Sequence, residues 1–113
     1  MDRKAIEARR HAYRAALQAE LGRLQRVLRE VGAQEVYLFG SASRGEDRYG
    51  SDLDLLVVLE SDLPFVERLA LLYRQLLPRV EVDILAYTPA EFARLRESNP
   101  LVRRACQEGV RLL

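Results

Sequence analysis

The chain is poor in the residues that build several common kinds of site. Among its 113 residues it has one cysteine, Cys106, one histidine, His11, and no tryptophan. A single cysteine cannot form an intrachain disulfide, and without a group of histidines and cysteines we do not expect a zinc site. Cys106 is interpreted as a small packing residue and His11 as a solvated side chain on a charged helix.

The sequence also lacks long hydrophobic runs and a strong charge of either sign. No apolar stretch reaches the roughly 18 residues of a membrane-spanning helix, and no secretory segment is recognisable, so we expect a cytoplasmic location and no membrane partner. Eighteen Lys and Arg residues nearly balance 17 Asp and Glu residues, which gives a formal net charge of +1. This balance, without a basic tract interleaved with aromatics, argues against direct nucleic-acid binding.

What the chain does have is enough apolar residues for one core. Hydrophobic residues make up 49% of the chain and charged residues 31%, and this length suits a single domain, residues 1–113, better than two. Apolar and small side chains recur at helical spacing from about Asp2 to Val31, which predicts a long amphipathic helix. Its first part, residues 1–16, is alanine-rich and charged, and is predicted to be a helical extension that projects from the core.

Strands and helices alternate after this first helix. Glu35–Phe39 and Asp52–Leu59 are rich in β-favouring or apolar residues and are predicted strands, and Val80–Ala86 is a third because apolar residues alternate at its start. A helical stripe runs from Pro64 to Leu77 between the second and third strands, and two short helices follow the third. This order predicts an α/β or α+β fold with a small sheet.

Three aspartates stand on the predicted strands where their carboxylates could converge. Asp52 and Asp54 are separated by one residue, so in a strand their side chains share one face, about 6.6 Å apart along the strand axis. Asp83 lies on the same open face if its strand is the neighbour of theirs. Gathered carboxylates need a compensating cation. Oxygen ligands favour Mg²⁺, with Mn²⁺ as the alternative, and the spacing suits two ions about 3.5 to 4 Å apart.

A glycine–serine turn precedes the aspartates and predicts a phosphate-binding loop. Gly40 allows the backbone to approach a phosphate closely, Ser41 adds a hydroxyl and an amide, and Arg44 can bind phosphate oxygens through two hydrogen bonds. Each of these residues alone has an ordinary structural interpretation, such as pairing of Arg44 with Glu46 or Asp47. Together with the downstream carboxylates, they predict a site for metal-dependent nucleotidyl transfer.

The chain resembles the DNA polymerase β-like nucleotidyltransferase superfamily, and most closely its minimal nucleotidyltransferase (MNT) proteins, in one group of motifs: Gly40-Ser41, Arg44-Gly45, Ser51-Asp52-Leu53-Asp54-Leu55 and the later Asp83. The resemblance implies a small mixed sheet flanked by helices. It also implies that Asp52 and Asp54 bind magnesium, that Asp83 is the third acid and helps to activate the acceptor hydroxyl, and that Gly40 and Ser41 hold the nucleotide phosphates.

The resemblance further implies a donor and a partner. Minimal members are commonly encoded with a helical HEPN protein, and in such pairs the MNT chain is an antitoxin that binds its HEPN toxin and transfers AMP from ATP to a tyrosine of that partner. Two alternatives stay open. One is an antitoxin that binds nucleotide and masks its partner without catalysis, and the other is transfer to a small molecule or to RNA.

Overall fold

In a computed structural model, which describes residues 2–40 and 51–113, the chain forms a four-stranded sheet with helices on both faces. The elements, in chain order, are α1 Arg3–Glu30, β1 Glu35–Phe39, β2 Leu53–Val58, α2 Phe65–Leu76, β3 Val82–Tyr87, α3 Pro89–Ser98, α4 Pro100–Glu108 and β4 Val110–Arg111. The predicted α/β architecture, with a small sheet flanked by helices, is confirmed. The short strand β4 was not predicted from the sequence.

The sheet is mixed, and its strand order is β3-β2-β1-β4. β1 pairs with β2 and with β4 in antiparallel fashion, whereas β2 and β3 are parallel and α2 is the crossover between them. Every residue of β2 is buried, as expected for a strand that lies between two other strands and two helical layers. The parallel pairing sets Asp54 directly beside Asp83.

Each face of the sheet has its own core. On one face α1 and α2 pack against the odd-numbered residues of β2, with Leu24, Leu28, Leu55, Leu72 and Leu76 at most 1% exposed. On the other face α3 and α4 cover a second cluster that contains Tyr37, Leu56, Val58, Phe92 and Val102. Burial of one such side chain contributes about 1.5–3 kcal/mol relative to its exposure. By strand alternation, Asp54 and Asp83 lie on the second face of the sheet. In their strands they precede the residues that α3 and α4 cover.

Helix α1 has two parts with different surroundings. Residues from Leu17 onward join the first core through Leu21, Leu24 and Leu28. Residues 3–16, which we call the α1 arm, are exposed apart from the partly buried Ala5. Although α1 spans 28 residues, none of the helices in the described parts of the chain is both long enough and apolar enough to cross a membrane.

Candidate active site

The first predicted phosphate-binding residue, Gly40, ends β1 in a bend. Its φ is +73°, in the left-handed region that favours glycine because a Cβ is disfavoured there. This conformation agrees with the tight turn predicted from the sequence. The other two residues predicted to contact phosphate, Ser41 and Arg44, lie outside the described residues.

Asp54 and Asp83 come together because β2 and β3 pair in parallel. They are direct partners in the register, so their side chains leave the same face of the sheet from strands about 4.8 Å apart. Asp54 is 6% exposed, whereas Asp83 is open to solvent. The Asp54 carboxylate therefore lies in the buried part of the candidate site, whereas a substrate from solution can reach the Asp83 carboxylate.

Ser51 joins these two carboxylates. Its Oγ lies 2.6 Å from Oδ2 of Asp83 and 3.1 Å from Oδ1 of Asp54, and the residue is buried. Because a hydroxyl has one proton, it donates to one carboxylate at a time, and the shorter distance favours Asp83. In the sequence, Ser51 begins the segment Ser51-Asp52-Leu53-Asp54-Leu55, which we call the acidic motif, and no role was predicted for it. Its position three residues before Asp54 is a local pattern that could have indicated the contact with Asp54. The contact with Asp83 depends on the pairing of β2 with β3, which a local pattern does not show.

The carboxylate of Asp52 has different partners. Its Oδ1 accepts a hydrogen bond from the Tyr13 hydroxyl on the α1 arm, and its Oδ2 accepts one from the backbone N–H of Glu81 at 3.0 Å. Asp52 lies in a bend before β2, where its own N–H donates to the Glu81 carbonyl at 2.8 Å. The sequence predicted all three carboxylates on one face, whereas the structure places Asp54 and Asp83 there and directs Asp52 to Tyr13. Strand alternation does not govern a residue in a bend.

The carboxylate oxygens of the candidate site are suitable ligands for a divalent cation, although the three aspartates do not surround a single point. Within residues 2–40 and 51–113, no three Asp, Glu, His or Cys side chains are close enough together to hold a metal ion. Asp54 and Asp83 offer adjacent carboxylate oxygens, the ligands that Mg²⁺ and Mn²⁺ prefer. Asp52 is the third carboxylate of the predicted set, and its two oxygens accept hydrogen bonds from Tyr13 and from the Glu81 N–H. The arrangement with two ions stays a prediction.

Comparisons with known proteins identify the family to which the chain is similar. A family model described as a nucleotidyltransferase domain matches residues 22–112, a range that contains Gly40 and the three aspartates but not the α1 arm. A crystal structure, at 1.40 Å resolution, of a candidate nucleotidyltransferase from Sulfolobus solfataricus is similar to the chain, with 27% sequence identity and a TM-score of 0.48. That match covers 70% of this chain and 78% of the other. No curated protein matches the chain significantly.

Proposed function

The chain belongs to the nucleotidyltransferase domain family, and from that premise we propose that it transfers AMP from ATP to an acceptor hydroxyl with the help of a divalent metal ion. One observation carries the proposal within the structure. Asp54 and Asp83 lie side by side across parallel strands, with Ser51 between their carboxylates. Paired carboxylate oxygens of this kind can hold the metal ion that assists transfer of a nucleotidyl group.

In this proposal Asp54 and Asp83, joined by Asp52, would hold Mg²⁺ or Mn²⁺, which when bound neutralises phosphate charge as it develops. Gly40 lets the backbone approach the phosphates of ATP. The acceptor oxygen attacks the α-phosphorus, and pyrophosphate leaves. Because Asp83 is exposed, its carboxylate can orient an incoming hydroxyl and accept its proton. The hydrogen bond from Ser51 holds that carboxylate in position.

We further propose that the acceptor is a tyrosine of a helical HEPN-type protein in the cytoplasm, so that the chain acts as an antitoxin. The motifs shared with minimal nucleotidyltransferases support this partner. The exposure of Asp83 permits such an acceptor, because a protein side chain can enter the site from solution.

The test combines the chain with Mg²⁺, a candidate HEPN partner, and ATP labelled at the α-phosphate. We expect the label on the partner. We also expect transfer to fall by at least about a hundredfold in Asp54→Asn and in Asp83→Asn, because loss of a metal-binding carboxylate removes several kcal/mol of transition-state stabilisation. Asp62→Asn is the matched control, since Asp62 is an exposed carboxylate between β2 and α2, and it should retain wild-type transfer.

Circular dichroism of each variant would show that the fold is retained. Undiminished transfer by folded Asp54→Asn would contradict the assignment of the site. A tight complex with the partner that acquires no label would instead favour an antitoxin that masks its partner without catalysis.

A further inference from the structure

We propose that the chain transfers a nucleotidyl group to its own Tyr13, which makes Tyr13 a modification site and its hydroxyl an acceptor built into the chain. The inference rests on the proposed transferase function. It starts from one contact, in which the Tyr13 hydroxyl donates a hydrogen bond to Oδ1 of Asp52. The family pattern of residues 22–112 does not include Tyr13.

This contact joins the α1 arm to the acidic motif. Tyr13 and Asp52 are separated by 39 positions in the sequence, and Tyr13 contributes to neither core cluster. Tyr13 remains 45% exposed although its hydroxyl reaches Asp52. A nucleotide bound at the aspartates can therefore approach the phenol oxygen from solvent, and attachment of a nucleotide there would not displace a buried side chain.

The other tyrosines in the described ranges are placed differently. The Tyr37 hydroxyl donates to Glu35 and the Tyr73 hydroxyl donates to a backbone carbonyl. Tyr37 is buried, and Tyr73 and Tyr87 are partly buried, so attachment of a nucleotide would disturb their packing. Among the tyrosines of residues 2–40 and 51–113, Tyr13 is the one whose hydroxyl contacts an aspartate of the acidic motif.

The α1 arm also brings positive charge to this contact. Arg9 and Arg10 precede Tyr13 by four and three residues, so they lie on the same side of the helix, and Arg14 follows it directly. Residues 2–16 contain five basic and two acidic residues, a net charge of +3, whereas the whole chain has +1. A local excess of positive charge attracts the triphosphate of a nucleotide toward the arm.

In the proposed step the Oη atom of Tyr13 attacks the α-phosphorus of ATP, and an Oη–P bond forms. The bond between the α-phosphorus and the oxygen that bridges to the β-phosphate breaks, and pyrophosphate leaves with that electron pair. The hydroxyl proton passes to water, which can reach this exposed side chain. The product is a tyrosine phosphodiester of AMP. Nucleophile and site belong to one chain, so proximity favours the reaction.

The experiment incubates the full chain with Mg²⁺ and ATP and follows intact mass, and peptide fragmentation locates the modification. We expect one adenylyl group per chain on Tyr13, none on Tyr13→Phe, and wild-type labelling of Tyr87→Phe. The last variant is the matched control, because it removes a phenol hydroxyl at the far end of β3. The labelled fraction at a given time should not change when the protein is diluted. A rate that rises with protein concentration, or label on another residue, would overturn the proposal.

Metal-dependent nucleotide binding separates failure of this inference from failure of the proposed function. A fluorescent ATP analogue is titrated with Mn²⁺ into the wild type, Asp54→Asn and Tyr13→Phe. Tyr13→Phe should keep binding, so that its lost label reports a lost acceptor rather than a lost site. An unlabelled wild type whose binding disappears in Asp54→Asn overturns self-modification alone. An unlabelled wild type without metal-dependent binding overturns both proposals.

Discussion

At the scale of single residues, one hydroxyl holds the paired carboxylates. Asp54 and Asp83 carry like charges on neighbouring strands, and the Ser51 hydroxyl lies between them and donates its proton to one of the two at a time. A hydrogen bond to a charged group contributes about 1.5–3 kcal/mol, and residues that support metal ligands from behind orient them for binding. Ser51 is therefore a positioning residue for the proposed site.

Replacement of Ser51 by alanine tests this role. We expect Ser51→Ala to lower the affinity for Mn²⁺ by about tenfold, because loss of an outer-shell hydrogen bond loosens the carboxylates. Isothermal titration calorimetry measures the affinity directly, without an acceptor or turnover. Ser61→Ala is the control, since Ser61 accepts a hydrogen bond from the Leu63 N–H in the loop after β2. Equal affinities for the wild type and Ser51→Ala would remove Ser51 from the site.

At the scale of elements, two glycines differ in whether the surrounding structure leaves space for a side chain. Gly109 ends α4 and donates its N–H to the Ala105 carbonyl just before β4. A Cβ at Gly109 would lie 2.3 Å from the Ala105 oxygen and 2.7 Å from the Leu38 oxygen, both of them backbone atoms that cannot move aside easily. Gly22 is exposed within α1, and a Cβ there would meet nothing within 4 Å.

The two positions give opposite predictions for the same substitution. We expect Gly109→Ala to lower the free energy of unfolding by about 1–3 kcal/mol, because α4 and β1 must separate to accept the methyl group. We expect Gly22→Ala to raise it by about 1 kcal/mol, because alanine favours an exposed helix interior. Urea unfolding followed by circular dichroism measures both. A stabilised Gly109→Ala would show that α4 does not approach β1 so closely.

At the scale of the whole molecule, an ion pair within α1, of buried Glu20 and partly buried Arg23, is hydrogen-bonded to the segment between α2 and β3. Glu20 is 5% exposed and accepts hydrogen bonds from Arg23 at 2.6 and 2.9 Å and from the Arg79 N–H at 2.5 Å. Arg23 also donates to the Leu77 carbonyl at 3.1 Å. The hydrogen bond from Arg23 is the main reason why the pKa of Glu20 lies below its ordinary value of 4.5.

This pair predicts how stability depends on pH. Because the pKa of Glu20 is lower in the folded chain, its contribution is complete above pH 4.5 and is lost as the pH falls through the folded value. We expect Glu20→Gln to be less stable by about 1–3 kcal/mol at neutral pH, since the charged hydrogen bonds are weakened. We also expect its stability to fall less steeply in acid than that of the wild type.

Denaturant unfolding across a series of pH values measures both effects. Glu30→Gln, which alters an exposed glutamate at the end of α1, should follow the wild-type profile. Parallel profiles for the wild type and Glu20→Gln would show that ionisation of Glu20 does not contribute to the pH dependence of stability.

Most of the elements, and the motif of the candidate site, could be recognised from the sequence alone. The long helix, the three principal strands and the order of helices depend on repeats of 3.6 and two residues, which are local patterns. Alternation along β3 placed Val82 and Ile84 in the core and Asp83 on the open side, as the structure has them. Gly40 and the neighbouring Asp52 and Asp54 are equally local, so the motif was visible without coordinates.

Only the tertiary structure decided which side chains meet. The pairing that sets Asp83 beside Asp54, and Ser51 between them, joins strands that α2 separates in the chain. The hydrogen bond from Tyr13 to Asp52 joins residues that are 39 positions apart in the sequence. Asp52 lies in a bend, where no periodicity predicts the direction of a side chain. Local patterns determine which face of its own element a residue occupies, whereas contacts between distant segments depend on how the elements pack.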